Sequence, residues 1–330
     1  MLIQVNNLSK SFKIFKREPG IKGALKSFLK RDYHLFHALT NINLNVSEGE
    51  ILGILGENGA GKTTLIKLII GLLHPTSGQI SVNGYVPWER NHNYLRKVSV
   101  VMGQKNQLWW DIPASESFLL NKHIYNIDDT QYHKTLSELV ELLDIKDKLN
   151  IQVRRLSLGE RMKMEIIAAL LHQPTIVLLD EPTLGLDVIS QSKIREFVKY
   201  HNEQYKTTFV ITSHYTKDIQ EMCERVFVLN KGEHIYDGNF DSLIKSVNPK
   251  RKFIYDLPDD YDLNAINSLQ NDFDFIIKDH VITAELSEDL LNKLLIKLLK
   301  INSPKTLSFE DLPVEETLRN FFENPKKYLK

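Results

Sequence analysis

The sequence predicts an α/β domain of helices packed on a sheet over residues 1–240, followed by a small α+β domain over residues 241–330. Three observations lead to that expectation. Short β-branched runs alternate with amphipathic helical stretches through the first 240 residues. One junction between such a run and a helical stretch is the glycine-rich sequence GENGAGKT, at positions 56–63. Beyond about residue 248 the rhythm changes to strand, helix, strand, strand, helix, strand, the succession of a split βαβ, ferredoxin-like unit.

In chain order, EILGIL (50–55), VSVVM (98–102), TIVLLD (175–180) and TTFVITS (207–213) are strands of the first domain, being short, apolar and rich in β-branched residues. TTLIKLII, directly after the glycine-rich turn, is a helix. Between residue 104 and about 150 the alternation stops, and ASESFLLNKHIY and QYHKTLSELVELLD carry apolar residues three and four apart, which predicts an inserted helical subdomain over about 105–172. In the second domain FIYDL, DFIIK, VITAEL and TLSF are strands, LNAINSLQ and SEDLLNKLLIKLLK are helices, and VEETLRNFF is a closing helix. Pro249 and the run Lys250, Arg251, Lys252 are expected to mark the linker.

Bulk properties exclude several functions. The 330 residues suit one large and one small domain, and 42% apolar with 25% charged residues is ordinary for a globular protein. Forty-two basic residues balance 42 acidic ones, which argues against a dedicated nucleic-acid binder. Cys223 is the only cysteine, so no intramolecular disulfide forms and a reducing compartment is implied. No apolar run approaches the roughly 20 residues of a membrane-spanning helix, and no secretory signal is visible in MLIQVNNLSK. Cytosolic placement is the expectation.

The chemistry is concentrated in a few places. GENGAGKT fits G-x-x-x-x-G-K-[ST] and sits between strand and helix, the context a phosphate-binding loop requires. Gly56, Gly59 and Gly61 let the backbone curl so that amides of the loop, which also contains Glu57, Asn58 and Ala60, face the phosphates of a nucleotide. Lys62 is expected to hold the β and γ phosphates, Thr63 to offer a hydroxyl to Mg²⁺, and Thr64 to cap the helix. Asp180 and Glu181 end an apolar strand, where open sheets place their ligands. Asp180 suits the Mg²⁺ shell, and Glu181 suits proton abstraction from an attacking water. A second anion site is suggested by Ser157 and Gly159 in LSLGE, since a hydroxyl and an amide opening a helix attract phosphate; the same residues with Glu160 would also make a capping turn.

Read in order, GENGAGKT, Gln104 after VSVVMG, LSLGE, IVLLDEP, LGLD ending in Asp187, and His214 after VITS resemble the motifs of ABC ATPases over nearly all of residues 1–240. That resemblance implies a P-loop NTPase fold and ATP with Mg²⁺ as ligands. It further implies that two chains sandwich two ATP molecules head to tail, with Ser157, Gly159 and Glu160 serving the partner's nucleotide. By resemblance Gln104 touches the metal or the attacking water, His214 reaches the γ-phosphate and steadies Glu181, and Asp187 couples the two sites. Phe12 matches the aromatic that stacks on adenine, with Phe15 as the alternative. The resemblance also implies a separate multi-span membrane permease, a second ATPase subunit that is identical or a close paralogue, and a place at the cytoplasmic face of the cell membrane. LSLGERM, QKNQLWWDIPA and the insertion before Phe36 are most similar to ATPases of type-2 exporters. A soluble ABC protein acting on ribosomes or DNA is the rival class; it would carry two ATPase domains or long coiled coils, and neither is seen here.

Two stretches remain. Residues 9–31 hold eight cations against Glu18 alone, with Leu25, Phe28 and Leu29 on one helical face, within a basic insertion at about 13–34. This fits either contact with anionic lipid or a membrane partner, or a solvated loop. Trp109 and Trp110, adjacent in sequence, put at least one indole near the surface as an interface anchor. For the C-terminal domain the sequence leaves open a regulator site, dimer contacts or contact with the permease.

Overall fold

The structure is a computed structural model and describes residues 1–15, 33–103, 106–213, 215–248, 250–311 and 314–328. The chain divides into two compact units, Met1–Phe240 and Asp241–Lys330.

The first unit contains two sheets. Strands β1 (Ile3–Phe15), β2 (Tyr33–Val46) and β4 (Ser77–Val82) form an antiparallel sheet in the order β2-β1-β4. The other is six-stranded, in the order β5-β6-β7-β3-β8-β9, from β3 (Ile51–Leu55), β5 (Val98–Met102), β6 (Ile176–Asp180), β7 (Thr208–Ser213), β8 (Arg225–Asn230) and β9 (Glu233–Asn239). All neighbours in it are parallel except β8 and β9. Parallel strands are covered on both faces, which is why β6 and β7 read as unbroken apolar or β-branched runs and are almost wholly buried. A core of Leu52, Ile54, Leu65, Ile66, Leu178, Val210 and Phe227 ties this sheet to its helices and to Val5, Ile42 and Leu44 of the antiparallel sheet. Each such side chain contributes about 1.5–3 kcal/mol on burial.

Among the described residues the helices of the unit are α1 (Lys62–Ile69), α2 (His92–Leu95), α3 (Ala114–Tyr125), α4 (Asp129–Leu142), α5 (Leu158–Leu170), α6 (Val188–Tyr205) and α7 (Thr216–Met222). Helices α3, α4 and α5 lie between β5 and β6 in the chain and provide the interruption anticipated from the sequence. Both α4 and α5 start on side-chain caps, Asp128 and Ser157. Among the described residues no helix is long and apolar enough to cross a membrane. Because β3, β7 and β6 are neighbours in the sheet, their carboxyl ends converge: the glycine-rich loop follows β3, Ser213 closes β7, and Asp180 closes β6.

Helix α8 (Phe240–Val247) leads into the second unit, where β10 (Lys250–Asp256), β11 (Ile276–Lys278), β12 (Val281–Ser287) and β13 (Leu307–Asp311) form an antiparallel sheet in the order β11-β12-β10-β13. Helices α9 (Leu263–Ser268) and α10 (Glu288–Ile301) separate its strands, and α11 (Val314–Glu323) and α12 (Pro325–Tyr328) follow. The period of two shows clearly: Phe253 and Tyr255 of β10 and Ile282, Ala284 and Leu286 of β12 join Ile266, Leu291, Leu294 and Leu298 in one core. One expectation is corrected here. Lys250, Arg251 and Lys252 are the opening residues of β10, paired with Ser287, Leu286 and Glu285, so they are sheet and not linker. Three consecutive cations on a partly exposed strand read like a charged connector in sequence.

Candidate functional site

The loop after β3 is shaped by three different demands on glycine. At Gly56 a Cβ would stand 2.4 Å from the Leu229 carbonyl oxygen of β8, so there is no room for one. Gly61 has φ 107°, and a Cβ there would meet Leu39 Cδ2 at 2.6 Å and the Ala38 carbonyl at 2.7 Å. Gly59 has φ 84° with open space around it, so its requirement is the left-handed backbone alone. Lys62 is buried, and its Nζ donates to the carbonyl oxygens of Gly56 at 2.6 Å and Glu57 at 3.2 Å. Burial pushes its pKa down, while the carboxylates of Glu181, Asp180 and Glu57 pull it back up.

The Thr63 hydroxyl donates to Asp180 Oδ2 at 3.0 Å, and Asp180 Oδ1 takes the Thr212 hydroxyl at 2.6 Å. One carboxylate is thus fixed between α1 and β7. Glu181 follows with φ 55°, a left-handed backbone unusual for a residue with a side chain. Its amide donates to both the carbonyl (3.0 Å) and the hydroxyl (3.1 Å) of Thr212. Gly103 is forced by the same corner, since a Cβ there would lie 2.6 Å from the Glu181 carbonyl. These elements enclose a cleft of about 590 Å³. Its floor is Gly59, Gly61, Lys62, Thr63 and Thr64, its acidic wall Asp180 and Glu181, and its remaining rim includes Glu57, Asn58 and Phe36. Thr63 and Asp180 bring hard oxygen donors together at the phosphate loop, a donor set that fits Mg²⁺.

Ser157, Gly159, Glu160 and Asp187 do not line this cleft. They cluster where the starts of α5 and α6 meet. Glu160 N donates to Ser157 Oγ at 3.2 Å and Ser157 N to Glu160 Oε2 at 2.8 Å, a complete capping box. The Ser157 amide bond is the main reason the Glu160 carboxyl is held below its ordinary pKa. Gly159 is packed so closely that a Cβ would sit 2.3 Å from Ser190 Oγ. Asp187 caps α6, accepting from Ser190 N at 2.9 Å and Ser190 Oγ at 2.7 Å, and the hydroxyl bond leads in keeping its pKa low.

Residues 39–184 match the sequence pattern of the family described as ABC transporter. The ABC transporter ATP-binding protein NatA of Bacillus subtilis is 34% identical over 209 residues, covering 63% of this chain and 85% of that protein. The chain belongs to the ABC transporter ATP-binding family. The methionine import ATP-binding protein MetN 1 of Acinetobacter baylyi is also similar, at 31% identity over 68% of this chain and 64% of its own. A solved structure of the ATP-binding cassette MJ0796, a dimer in a post-hydrolysis state bound to ADP and Pi, superposes with a TM-score of 0.59 at 26% identity, over 72% of this chain and 98% of the cassette. This ABC protein therefore binds ATP and is an ATPase subunit of the kind that serves membrane transporters.

In this ABC ATPase the cleft brings together Gly59, Gly61, Lys62, Thr63, Asp180 and Glu181, while Gln104 and His214 lie outside the described residues. Thr64 lines the cleft but is not a cap. The helix N-cap is Gly61, with no side-chain bond, and Thr64 is already inside α1. A loop whose own amides and αL glycine open the helix needs no hydroxyl cap. Phe12 does not line the cleft; its direct cross-strand partner Phe36 does, with 44% of its surface exposed. Phe36 and Thr212 were the residues the sequence reading missed. The signal for Phe36 was an aromatic near the start of β2, the strand that precedes β3 in the chain. Thr212 had none, because its role depends on β7 lying beside β6. Trp109 and Trp110 are both exposed, at 62% and 46%, with the Arg161 guanidinium 5.2 Å from the Trp110 ring centre.

Proposed function

We propose that this chain energises a membrane exporter by ATP-driven, head-to-tail pairing of two ATPase subunits, either identical or paralogous. The observation that carries the reading is the separation of the two anion sites: Lys62 and the phosphate loop line the cleft, whereas Ser157 and Gly159 open α5 outside it. A γ-phosphate in the cleft is completed by the helix start of a second chain, and symmetry then fills both sites. Asp187, at the adjoining start of α6, lies where such a contact couples the two sites.

Lys62 holds the β and γ phosphates, and Gly56, Glu57, Asn58, Gly59, Ala60 and Gly61 cradle them through the backbone. Phe36, with Phe12 beside it, receives the adenine. Thr63 and Asp180, with Gln104, would hold Mg²⁺, which supplies charge neutralisation on the phosphate oxygens. Glu181, its backbone fixed by Thr212, accepts the proton of the attacking water, and His214 steadies that arrangement.

The functional division follows the two compact units: an ATPase domain over 1–240 with a helical subdomain at about 105–172 and a basic insertion at about 13–34, and an accessory domain over 241–330. The sheet order β11-β12-β10-β13 supports a ferredoxin-like assignment for the latter. The permease is a separate multi-span protein that seats the chain at the cytoplasmic face of the membrane, aided by anionic lipid at the basic insertion. Export as the direction rests on the type-2 resemblance of LSLGERM and QKNQLWWDIPA.

The Glu181→Gln variant tests the core of this reading. With ATP and Mg²⁺ it is expected to accumulate as a dimer on size exclusion and to turn over at most about a hundredth as fast as the parent chain; rapid steady hydrolysis would overturn it. Affinity capture of the chain from detergent-solubilised native membranes should bring a stoichiometric multi-span protein. Capture of ribosomal or DNA-repair proteins in its place would move the ATP chemistry to another process.

A further inference from the structure

Thr183 and Ser213 follow or close two neighbouring strands, β6 and β7, and both side chains end on one carboxylate. Asp218, in the first turn of α7, accepts the Ser213 hydroxyl on Oδ2 at 3.0 Å and the Thr183 hydroxyl on the same oxygen. Its other oxygen accepts Arg195 Nη1 of α6 at 3.0 Å, and Arg195 Nε pairs with Glu221 Oε2 at 2.5 Å. Thr183, Ser213, Asp218 and Arg195 are all buried. The Ser213 hydroxyl also accepts the Tyr215 amide at 2.9 Å, so it is held by two partners.

A buried ion pair is weak as a stabilising device, because desolvation offsets most of its attraction. What this one has is location. Thr183 is two residues beyond Glu181, and Ser213 immediately precedes His214. We propose that Asp218, with Arg195 as its counter-ion, is a positioning residue for ATP hydrolysis: it ties Thr183, just beyond Glu181, to Ser213 at the end of β7, beside the Thr212 that holds the Glu181 amide, and so fixes where Glu181 stands. The inference rests on the reading of Glu181 as the proton acceptor. A single oxygen receiving both hydroxyls makes the two segments move together, because a shift of one strand end must break a buried bond of the other.

The test uses the full chain and the two hydroxyl arms, neither of which touches nucleotide in this reading. Thr183→Val keeps shape and burial while removing the hydroxyl. It is expected to lower kcat about tenfold, with KM and ATP affinity within about twofold, since small misplacements of reacting groups cost rate and not binding. Thr183→Ser should return kcat to within about twofold of the parent. Ser213→Ala should resemble Thr183→Val and provides the same test should the valine variant not fold. The double variant should lose no more than about the larger single loss, as expected for two arms of one bracket. Full kcat in Thr183→Val and Ser213→Ala alongside a lowered Tm would overturn the proposal and leave a packing role only. A Thr183→Ser variant as slow as Thr183→Val would also overturn it. Glu181→Gln run in parallel separates the two readings: steady turnover there removes the proton-acceptor assignment and this inference with it, whereas arrested turnover with unchanged Thr183→Val kinetics removes the bracket alone.

Discussion

Phe36 stands directly opposite Phe12 across the β1–β2 pair, and of the two only Phe36 lines the phosphate cleft. Cross-strand partners face the same side of a sheet, so Phe12 is placed to support a ring that Phe36 presents. Removing a stacked aromatic costs about 1–3 kcal/mol per base. Phe36→Ala should therefore weaken binding of a fluorescent ATP analogue by about tenfold, and Phe12→Ala by less than about threefold. The reverse ranking in the same titration would restore Phe12 as the platform.

The glycines of the loop should fail in different ways. Gly61→Ala meets Leu39 and the Ala38 carbonyl in an unfavourable backbone region, so its melting midpoint should fall by the equivalent of about 2–3 kcal/mol, with loss of ATP binding. Gly59→Ala meets nothing and bears only the left-handed backbone cost of about 1–2 kcal/mol. Thermal melts of both variants check the ranking.

Ser157→Ala removes one half of a capping box and should destabilise the chain by about 1 kcal/mol. Because Ser157 does not line the cleft, ATP affinity of the single chain should stay within about twofold, while ATP-dependent dimerisation in a Glu181→Gln background should weaken at least about tenfold. Sedimentation at matched ATP concentrations separates these effects. Dimerisation at parental strength would confine Ser157 to the cap.

His172 stacks on Tyr125 with ring centres 3.8 Å apart, and neither of its ring nitrogens has a hydrogen-bond partner among the described residues. Burial, with Arg96 nearby, pushes its pKa down to about 4. In the unfolded chain the ring takes a proton below about 6.5, so between those values the unfolded state binds more protons. Stability should then fall as pH drops from about 6.5 toward 4, with a slope of up to ~1.4 kcal/mol per pH unit from this group. His172→Phe keeps the stack and should flatten the dependence of unfolding free energy on pH in that window. An unchanged slope in denaturant titrations would show that His172 is charged in the folded protein.

How much of this was legible in the sequence depended on whether the information was local. GENGAGKT and the apolar run ending at Asp180 and Glu181 announce themselves because one short segment carries the whole requirement. The element succession after residue 248 was readable for the same reason, as alternation and helical spacing are properties of neighbours. Phe36 and Thr212 were not readable, because each gains its role from a strand far away in the chain. The charged run opening β10 misled because exposed strand residues and linkers share a composition. The supposed cap at Thr64 failed because Gly61 already opens α1.

Strand β7 lies between β3 and β6 and is buried along its whole length. Its last residues hold the backbone of Glu181, the carboxylate of Asp180 and, through Ser213, Asp218. Such a central strand exchanges its amide hydrogens only when the entire domain opens. Heating should therefore extinguish catalysis and the fold at one temperature, leaving this motor no lukewarm form that is folded yet idle.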